Sequence, residues 1–182
     1  MCFSPEASFA GGGMILLIGY ATIKKVQKPS QMVFATIPLI FGVQQITEGL
    51  LWSTLPYSEY ENIQKISKYL FLIIADVIWP VMMPLSVLLM EKSDKRKRIL
   101  RILLGIGIIV SLYYAYCLLV YNVNPKIIGY HIQYTNDFPK SLMFIAFGIY
   151  LVSTITPLFV SSIKRTHLLG ALMFLSGLVT AV

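Results

Sequence analysis

The chain has 182 residues, of which 57% are hydrophobic and 13% are charged, and its net charge is +7. A soluble domain carries about 25% charged residues, so a water-soluble globular domain is excluded, as is intrinsic disorder, which requires low hydrophobicity. An outer-membrane barrel would show alternating strands of about 10 residues instead of long apolar runs. The composition therefore predicts an all-α, multi-pass transmembrane helix bundle whose surroundings are the lipid bilayer. The basic residues lie in short loops, so no nucleic-acid partner is expected.

Six apolar runs are long enough, or nearly so, to span a bilayer within a single membrane domain. They are residues 9–23, 32–55, 69–90, 99–121, 141–161 and 168–182. No Lys or Arg precedes the first run, so it lacks the basic segment of a cleaved signal peptide. Its three consecutive glycines predict close packing against a neighbouring helix. The last run has no polar flank, so we expect the intact protein to be longer by roughly 20 to 40 residues and to include a seventh span.

The distribution of Lys and Arg predicts the orientation of the spans. Alternate connections, at residues 24–28, 92–101 and 164–165, contain eleven of them, whereas the other connections contain only Lys65, Lys68, Lys126 and Lys140. Basic loops are retained on the cytoplasmic side. The sequence therefore predicts a bacterial cytoplasmic (inner) membrane protein with its N-terminus outside.

Two connections are expected on the outer side. Residues 56–68 are aromatic and acidic, which is typical of a membrane interface. In residues 122–140, apolar Ile128, Tyr130, Ile132 and Tyr134 alternate with polar residues or glycine. This alternation predicts a short strand or hairpin lying over the outer face of the bundle.

Two carboxylic acids, Glu48 and Asp76, lie inside predicted spans. An ionised side chain at mid-helix costs about 2.5–3.5 kcal/mol, which makes such residues functional candidates. Both lie seven residues from the outer end of their span, roughly 10 Å deep. We expect their carboxyl carbons to lie within about 8 Å of each other. Like-charge repulsion would then favour one proton shared between them.

Helical spacing places further polar and aromatic residues on the faces of the two acids. Pro80 follows Asp76 by four residues and removes the N–H group that would bond the Asp76 carbonyl. His131, in the outer loop, is predicted to cover the pocket. The predicted ligand-binding set is Gln44, Gln45, Glu48, Trp52, Asp76, Trp79 and His131.

Three functions fit this set. The first is an outward-facing polar pocket that binds a small molecule or ion, as in a sensor or transporter. The second is a membrane enzyme that uses the carboxyl pair for acid–base chemistry on a lipid- or quinone-like substrate. The third is a structural subunit, in which the polar groups are interhelical hydrogen bonds worth about 0.6 kcal/mol each.

A metal site has less support in the sequence. The two histidines, His131 and His167, are predicted on opposite sides of the membrane, which excludes a three-histidine zinc site. Cys2, Cys117 and His131 are weak candidates for a soft metal such as copper or zinc. A Cys2–Cys117 disulfide is an alternative. The sequence identifies no cofactor.

The sequence contains five distinctive motifs: Met1-Cys2-Phe3-Ser4-x-x-Ala7-Ser8-Phe9, Phe41-Gly42-x-Gln44-Gln45-x-x-Glu48-Gly49-x-x-Trp52, Trp79-Pro80 with Pro84, His131-Ile132-x-Tyr134, and Thr156-Pro157-Leu158. Together they resemble an uncharacterised family of small bacterial integral membrane proteins. The resemblance covers nearly the whole chain and implies a membrane location without a particular chemistry. The family pattern continues into a last helix with a Ser-Val-Trp-Cys-like stretch, which this chain lacks.

Overall fold

The predicted helical architecture is present in the computed structural model of the chain, which describes residues 4–181 and the side chains of residues 4–175. Within those residues, five helices are long and apolar enough to cross a membrane. The all-α prediction is confirmed, with one small hairpin as the only β-structure in the described chain. The elements are α1 (Pro5–Lys24), α2 (Met32–Thr54), α3 (Glu61–Leu72), α4 (Trp79–Met90), α5 (Asp94–Val120), β1 (Val123–Ile128), β2 (His131–Asn136), α6 (Lys140–Val160) and α7 (Lys164–Ala181).

The last predicted span, residues 168–182, lies within α7 apart from Val182, which is outside the described residues. The α7 helix begins four residues before this span and is not one of the five. It packs against α6, while α4, α5 and α6 all contact one another.

Helices α1 and α2 pack closely through glycine. A Cβ atom at Gly12 would lie 2.9 Å from Ile46 Cδ1, and one at Gly42 would lie 2.7 Å from Leu16 Cγ. Contacts this short leave no room for a side chain. A Cβ at Gly11 or Gly13 would meet nothing within 4 Å. The prediction of close packing is therefore confirmed for Gly12 alone among the three consecutive glycines.

The third helix is longer than the apolar run that predicted it. It extends continuously over Ser58–Met90 and comprises α3, a π-helical segment and α4. Its first turns are amphipathic, so a hydropathy run detects only the later part. The amide of Gln64 anchors this start by donating hydrogen bonds to the carbonyls of Thr54 (2.8 Å) and Tyr57 (2.9 Å).

The π-helical segment, Ile73–Ile78, has a cause in the sequence. The N–H group of Trp79 bonds the carbonyl of Ile74, five residues back, and the next residue, Pro80, has no N–H to donate to Asp76. Pro84 likewise leaves the Pro80 carbonyl without its usual intrahelical donor. Such π-segments are rare and occur frequently at functional sites.

The predicted outer hairpin is confirmed. Strands β1 and β2 pair antiparallel from Val123↔Asn136 to Ile128↔His131. The two-residue turn begins with Gly129 at φ 58°, the left-handed conformation that a type II′ turn requires at its first central position. We call the end of the bundle that carries β1 and β2 the hairpin end. The opposite end, which carries residues 24–28, 92–101 and 164–165, is the basic end.

The hairpin packs onto the ends of α2 and α3. Ile132 is 8% exposed and lies in one apolar cluster with Leu51 and Trp52 of α2. The ring of Tyr134 stacks on Phe71 with centroids 5.3 Å apart and an interplanar angle of 6°. One face of β2 therefore covers the helices, and the other faces outward.

Candidate functional site

Asp76 lies in the π-helical segment, and side chains from two other helices bond the carbonyls on either side of it. The hydroxyl of Tyr150 donates to the Ala75 carbonyl (2.9 Å), and that of Ser111 donates to the Val77 carbonyl (2.7 Å). Helices α6 and α5 thus stabilise the irregular backbone that carries Asp76. In an apolar environment, a helix tolerates irregular backbone when neighbouring side chains donate hydrogen bonds to the carbonyl groups that have lost their usual partners.

Tyr134 packs against both helices that bear the acids, with Trp52 of α2 in one cluster and with Leu72 and Val77 of the third helix in another. Its hydroxyl is buried and has no hydrogen-bond partner among the described residues. Burial raises the pKa of Tyr134, and the charges of Glu48 and Asp76 raise it further. The Tyr134 phenol therefore joins the hairpin to the two helices that bear Glu48 and Asp76.

Glu48 lies on the α2 side of the same site. It is 2% exposed, and the Gln45 amide donates to its Oε2 over 3.4 Å. Trp52, one turn further along α2, is also buried, and its indole N–H has no acceptor within the described part of the chain. Trp52 and Tyr134 pack in the same cluster. We call Glu48, Trp52, Asp76 and Tyr134 the acid site.

Aromatic and sulfur-containing side chains of α5 and α6 pack beside the segment that carries Asp76. Tyr114 and Cys117 form one cluster, and Val77 and Tyr150 pack against it. The rings of Tyr114 and Tyr150 meet edge to face with centroids 6.3 Å apart. The segment that carries Asp76 therefore packs against side chains with weakly acidic O–H and S–H groups.

Two further members of the predicted set lie elsewhere. The indole N–H of Trp79 donates to Gln44 Oε1 over 2.9 Å, and both side chains line an apolar cavity of about 490 Å³. The neighbouring Gln45 instead donates to Glu48. The polar residues of α2 are thus divided: Gln45 bonds Glu48 of the acid site, and Gln44 lines the cavity.

His131 is exposed, and it alternates along β2 with the inward-facing Ile132. The structure therefore does not place it with the acids. Cys117 is buried and has a free thiol, and Cys2 lies outside the described residues. In residues 4–181, no three His, Cys, Asp or Glu side chains are grouped so as to hold a metal ion.

Sequence reasoning missed two residues. The first is Tyr134. Side chains alternate between the two faces of a strand, so the sequence pattern places Tyr134 on the same side of β2 as Ile132 and on the side opposite His131.

The second is Glu91, an acid within a basic connection, which holds two loops of the basic end together. Its carboxylate is 4% exposed and accepts backbone N–H bonds from Lys92 (2.8 Å), Ser93 (3.0 Å) and Ser162 (2.7 Å).

These hydrogen bonds determine the ionisation of Glu91. Burial works against the charged form, but the N–H groups of Ser93, Ser162 and Lys92 outweigh it and lower the pKa from 4.5 to about 2. Hydrogen bonds to a carboxylate favour its charged form. Glu91 is therefore an anionic clamp between the α4–α5 and α6–α7 connections.

The fold defines a helical protein with five membrane-compatible helices in its described part and a β-hairpin packed over one end. The profile of the family of unknown function DUF6629 matches residues 1–182, and the chain belongs to this family. No match was found among the curated proteins or among the solved structures.

Proposed function

We propose that this chain is a multi-pass protein of a bacterial cytoplasmic membrane that binds a proton or a small inorganic cation at the acid site. The observation that carries the proposal is that Tyr134 packs against both helices that bear Glu48 and Asp76, while its buried hydroxyl has no partner among the described residues. Two carboxylates in an apolar setting favour a bound positive charge, because like charges in low dielectric repel. Ion binding of this kind fits a sensor or a transporter.

The size of the ligand follows from burial. Glu48 is 2% exposed and Trp52 is 8% exposed, so the covered site admits only a very small ligand unless the hairpin moves. The hydroxyl of Tyr134 and the indole of Trp52 bring no positive charge to the site. A proton or a dehydrated monovalent cation therefore fits the charge and the space better than an organic molecule does.

The proposal is tested with the double variant Glu48→Gln, Asp76→Asn, whose changes are nearly isosteric and remove both charges. The melting temperature of the purified protein is measured against Na⁺, K⁺ and pH at constant ionic strength. A ligand that binds the folded state raises the melting temperature. We expect the bound ion to raise the melting temperature of the unmodified protein, and we expect no such rise in the double variant.

The matched control is the double variant Glu59→Gln, Asp137→Asn, which removes two exposed acids near the hairpin end. It should keep the rise in melting temperature. Response to pH alone would identify the proton as the ligand, whereas response to Na⁺ or K⁺ would identify a cation. Equal behaviour of the unmodified protein and both double variants would contradict the proposal.

A structural subunit is the second candidate, and three hydrogen bonds favour it. They join Trp79 to Gln44, Tyr150 to the Ala75 carbonyl, and Ser111 to the Val77 carbonyl. Each links a different helix to the third helix near Asp76. If the double variant lacking Glu48 and Asp76 is folded and responds as the unmodified protein does, this function is the better one.

The proposed orientation has the hairpin end outside and the basic end in the cytoplasm, as the distribution of Lys and Arg favours. Single cysteines are introduced at exposed Ser58, Asn136 or Ser93 in a variant without Cys2 and Cys117. In whole cells, a membrane-impermeant maleimide should label positions 58 and 136 and leave position 93 unlabelled until the cells are lysed. Labelling of position 93 in sealed cells would reverse the orientation.

A further inference from the structure

The apolar cavity is distinct from the acid site. Its volume is about 490 Å³, within the range of about 300–1,000 Å³ that is typical of small-molecule sites. It is bordered by α1 and α2 on one side, α6 and α7 on the other, and the third helix between them. Representative lining residues are Ile37, Phe41, Trp79, Met83, Ile155 and Met173.

One polar group in this lining has an unused donor. Gln44 is 7% exposed, and its Oε1 accepts the indole N–H of Trp79. This bond directs the other half of the amide away from the indole. No acceptor among the described residues bonds Gln44 Nε2, so this N–H group is available to a molecule in the cavity that Gln44 lines.

The two hydroxyl groups of the lining already donate hydrogen bonds within the protein. Tyr150 donates to the Ala75 carbonyl (2.9 Å), and Thr154 donates to the Tyr150 carbonyl (2.8 Å). The cavity thus presents apolar and aromatic walls with one available N–H donor. A matching ligand is apolar and carries a hydrogen-bond acceptor.

The depth of Gln44 in the membrane favours a quinone over a phospholipid as the ligand. Gln44 lies near the middle of α2, whereas the ester carbonyls of a phospholipid lie at the edge of a hydrocarbon core about 30 Å thick. An uncharged quinone ring carries its carbonyls on a flat apolar body that can enter the hydrocarbon. The edge-to-face pair of Phe41 and Trp79, with centroids 6.3 Å apart, offers aromatic surfaces for such a ring.

We propose that this cavity binds an isoprenoid quinone, with one quinone carbonyl accepting a hydrogen bond from Gln44 Nε2 and the tail leaving between the helices. The site uses neither Glu48 nor Asp76, so it does not rest on the proposed ion binding. No redox step is part of the proposal.

The chain contains two tryptophans, so the variant Trp52→Phe leaves Trp79 as the only one. This variant, purified in detergent, is titrated with decylubiquinone while tryptophan fluorescence is recorded. We expect saturable quenching, because the ring binds beside Trp79. Adding Gln44→Met should weaken the apparent affinity about tenfold, the equivalent of one hydrogen bond.

Two variants of α6 test the location. Ile155→Phe fills the cavity and should abolish saturable quenching. Ile145→Phe makes the same change at a position that is 60% exposed and outside the lining, and it should leave the quenching unchanged. Size-exclusion chromatography checks that each variant is folded.

Two results would overturn the proposal. Quenching that does not saturate, or that is equal in the two α6 variants, would show collision within the micelle instead of binding in the cavity. Dodecylbenzene that relieves the quenching at a concentration equal to that of decylubiquinone would show that the cavity does not recognise a carbonyl.

Discussion

Replacement of Gly107 with alanine is expected to lower the free energy of unfolding by about 1–3 kcal/mol, the usual cost of overpacking. Gly107 lies on α5 where that helix crosses Pro80. A Cβ atom there would overlap the Pro80 carbonyl oxygen and lie 2.8 Å from the Pro80 carbonyl carbon. Both atoms belong to the backbone, so the overlap is relieved only by moving one helix away from the other.

Gly105, two residues earlier on the same helix, is the matched control. A Cβ atom there would meet nothing within 4 Å, and alanine favours helix more than glycine does. Gly105→Ala should therefore leave the stability unchanged or raise it slightly. Thermal unfolding of both variants in one detergent gives the comparison. Equal stability of the two variants would contradict the close approach of α5 to Pro80.

Replacement of Glu91 with glutamine is expected to cost about 2–3 kcal/mol at neutral pH, because hydrogen bonds to a buried charged group are among the stronger ones. The carboxylate accepts N–H bonds at both oxygens, from Lys92 and Ser93 at one and from Ser162 at the other. A glutamine amide has a single acceptor oxygen. In either orientation, its NH₂ group faces at least one backbone N–H, so that donor loses its partner.

The pH dependence of this loss has a definite sign. The pKa of Glu91 is lowered from 4.5 to about 2 in the folded protein. The carboxylate therefore stabilises the fold fully above the unfolded value, and the contribution is lost as the pH falls from about 4.5 towards 2. The difference in melting temperature between the unmodified protein and Glu91→Gln should be constant near neutral pH and shrink on acidification.

Glu59→Gln is the control for this experiment, because Glu59 is exposed at the other end of the bundle. Surface substitutions of this kind usually change stability by less than about 0.5 kcal/mol. A difference between Glu91→Gln and the unmodified protein that grows on acidification would refute the assignment of Glu91 as an anionic clamp.

Patterns that arise within one segment could be read from the sequence. Helix-length apolar runs identified the five membrane-compatible helices, and the alternation around Ile132 identified the hairpin, because each periodicity reflects local backbone geometry. The interruption near Asp76 was also foreseeable, since Pro80 has no N–H group to donate. The start of the third helix was missed because its first turns are amphipathic.

Contacts between segments were decided only by the tertiary structure. Helical spacing groups Gln44 with Glu48, but it does not specify which helix each side chain meets. Packing directs Gln44 to Trp79 and the cavity, and it brings Tyr134 of β2, and not the exposed His131, against both helices that bear the acids.

The same distinction holds for Glu91 and Gly107. In sequence, Glu91 is one acid among basic residues, and Gly107 resembles Gly105. Their importance depends on atoms far along the chain, namely the Ser162 N–H for Glu91 and the Pro80 carbonyl for Gly107. The sequence determined where the apolar helices and the hairpin lie and that Glu48 and Asp76 fall within apolar helices, because these properties follow from local pattern and hydrophobicity. The tertiary structure alone decided the partners, because a side chain meets them only after the helices have packed.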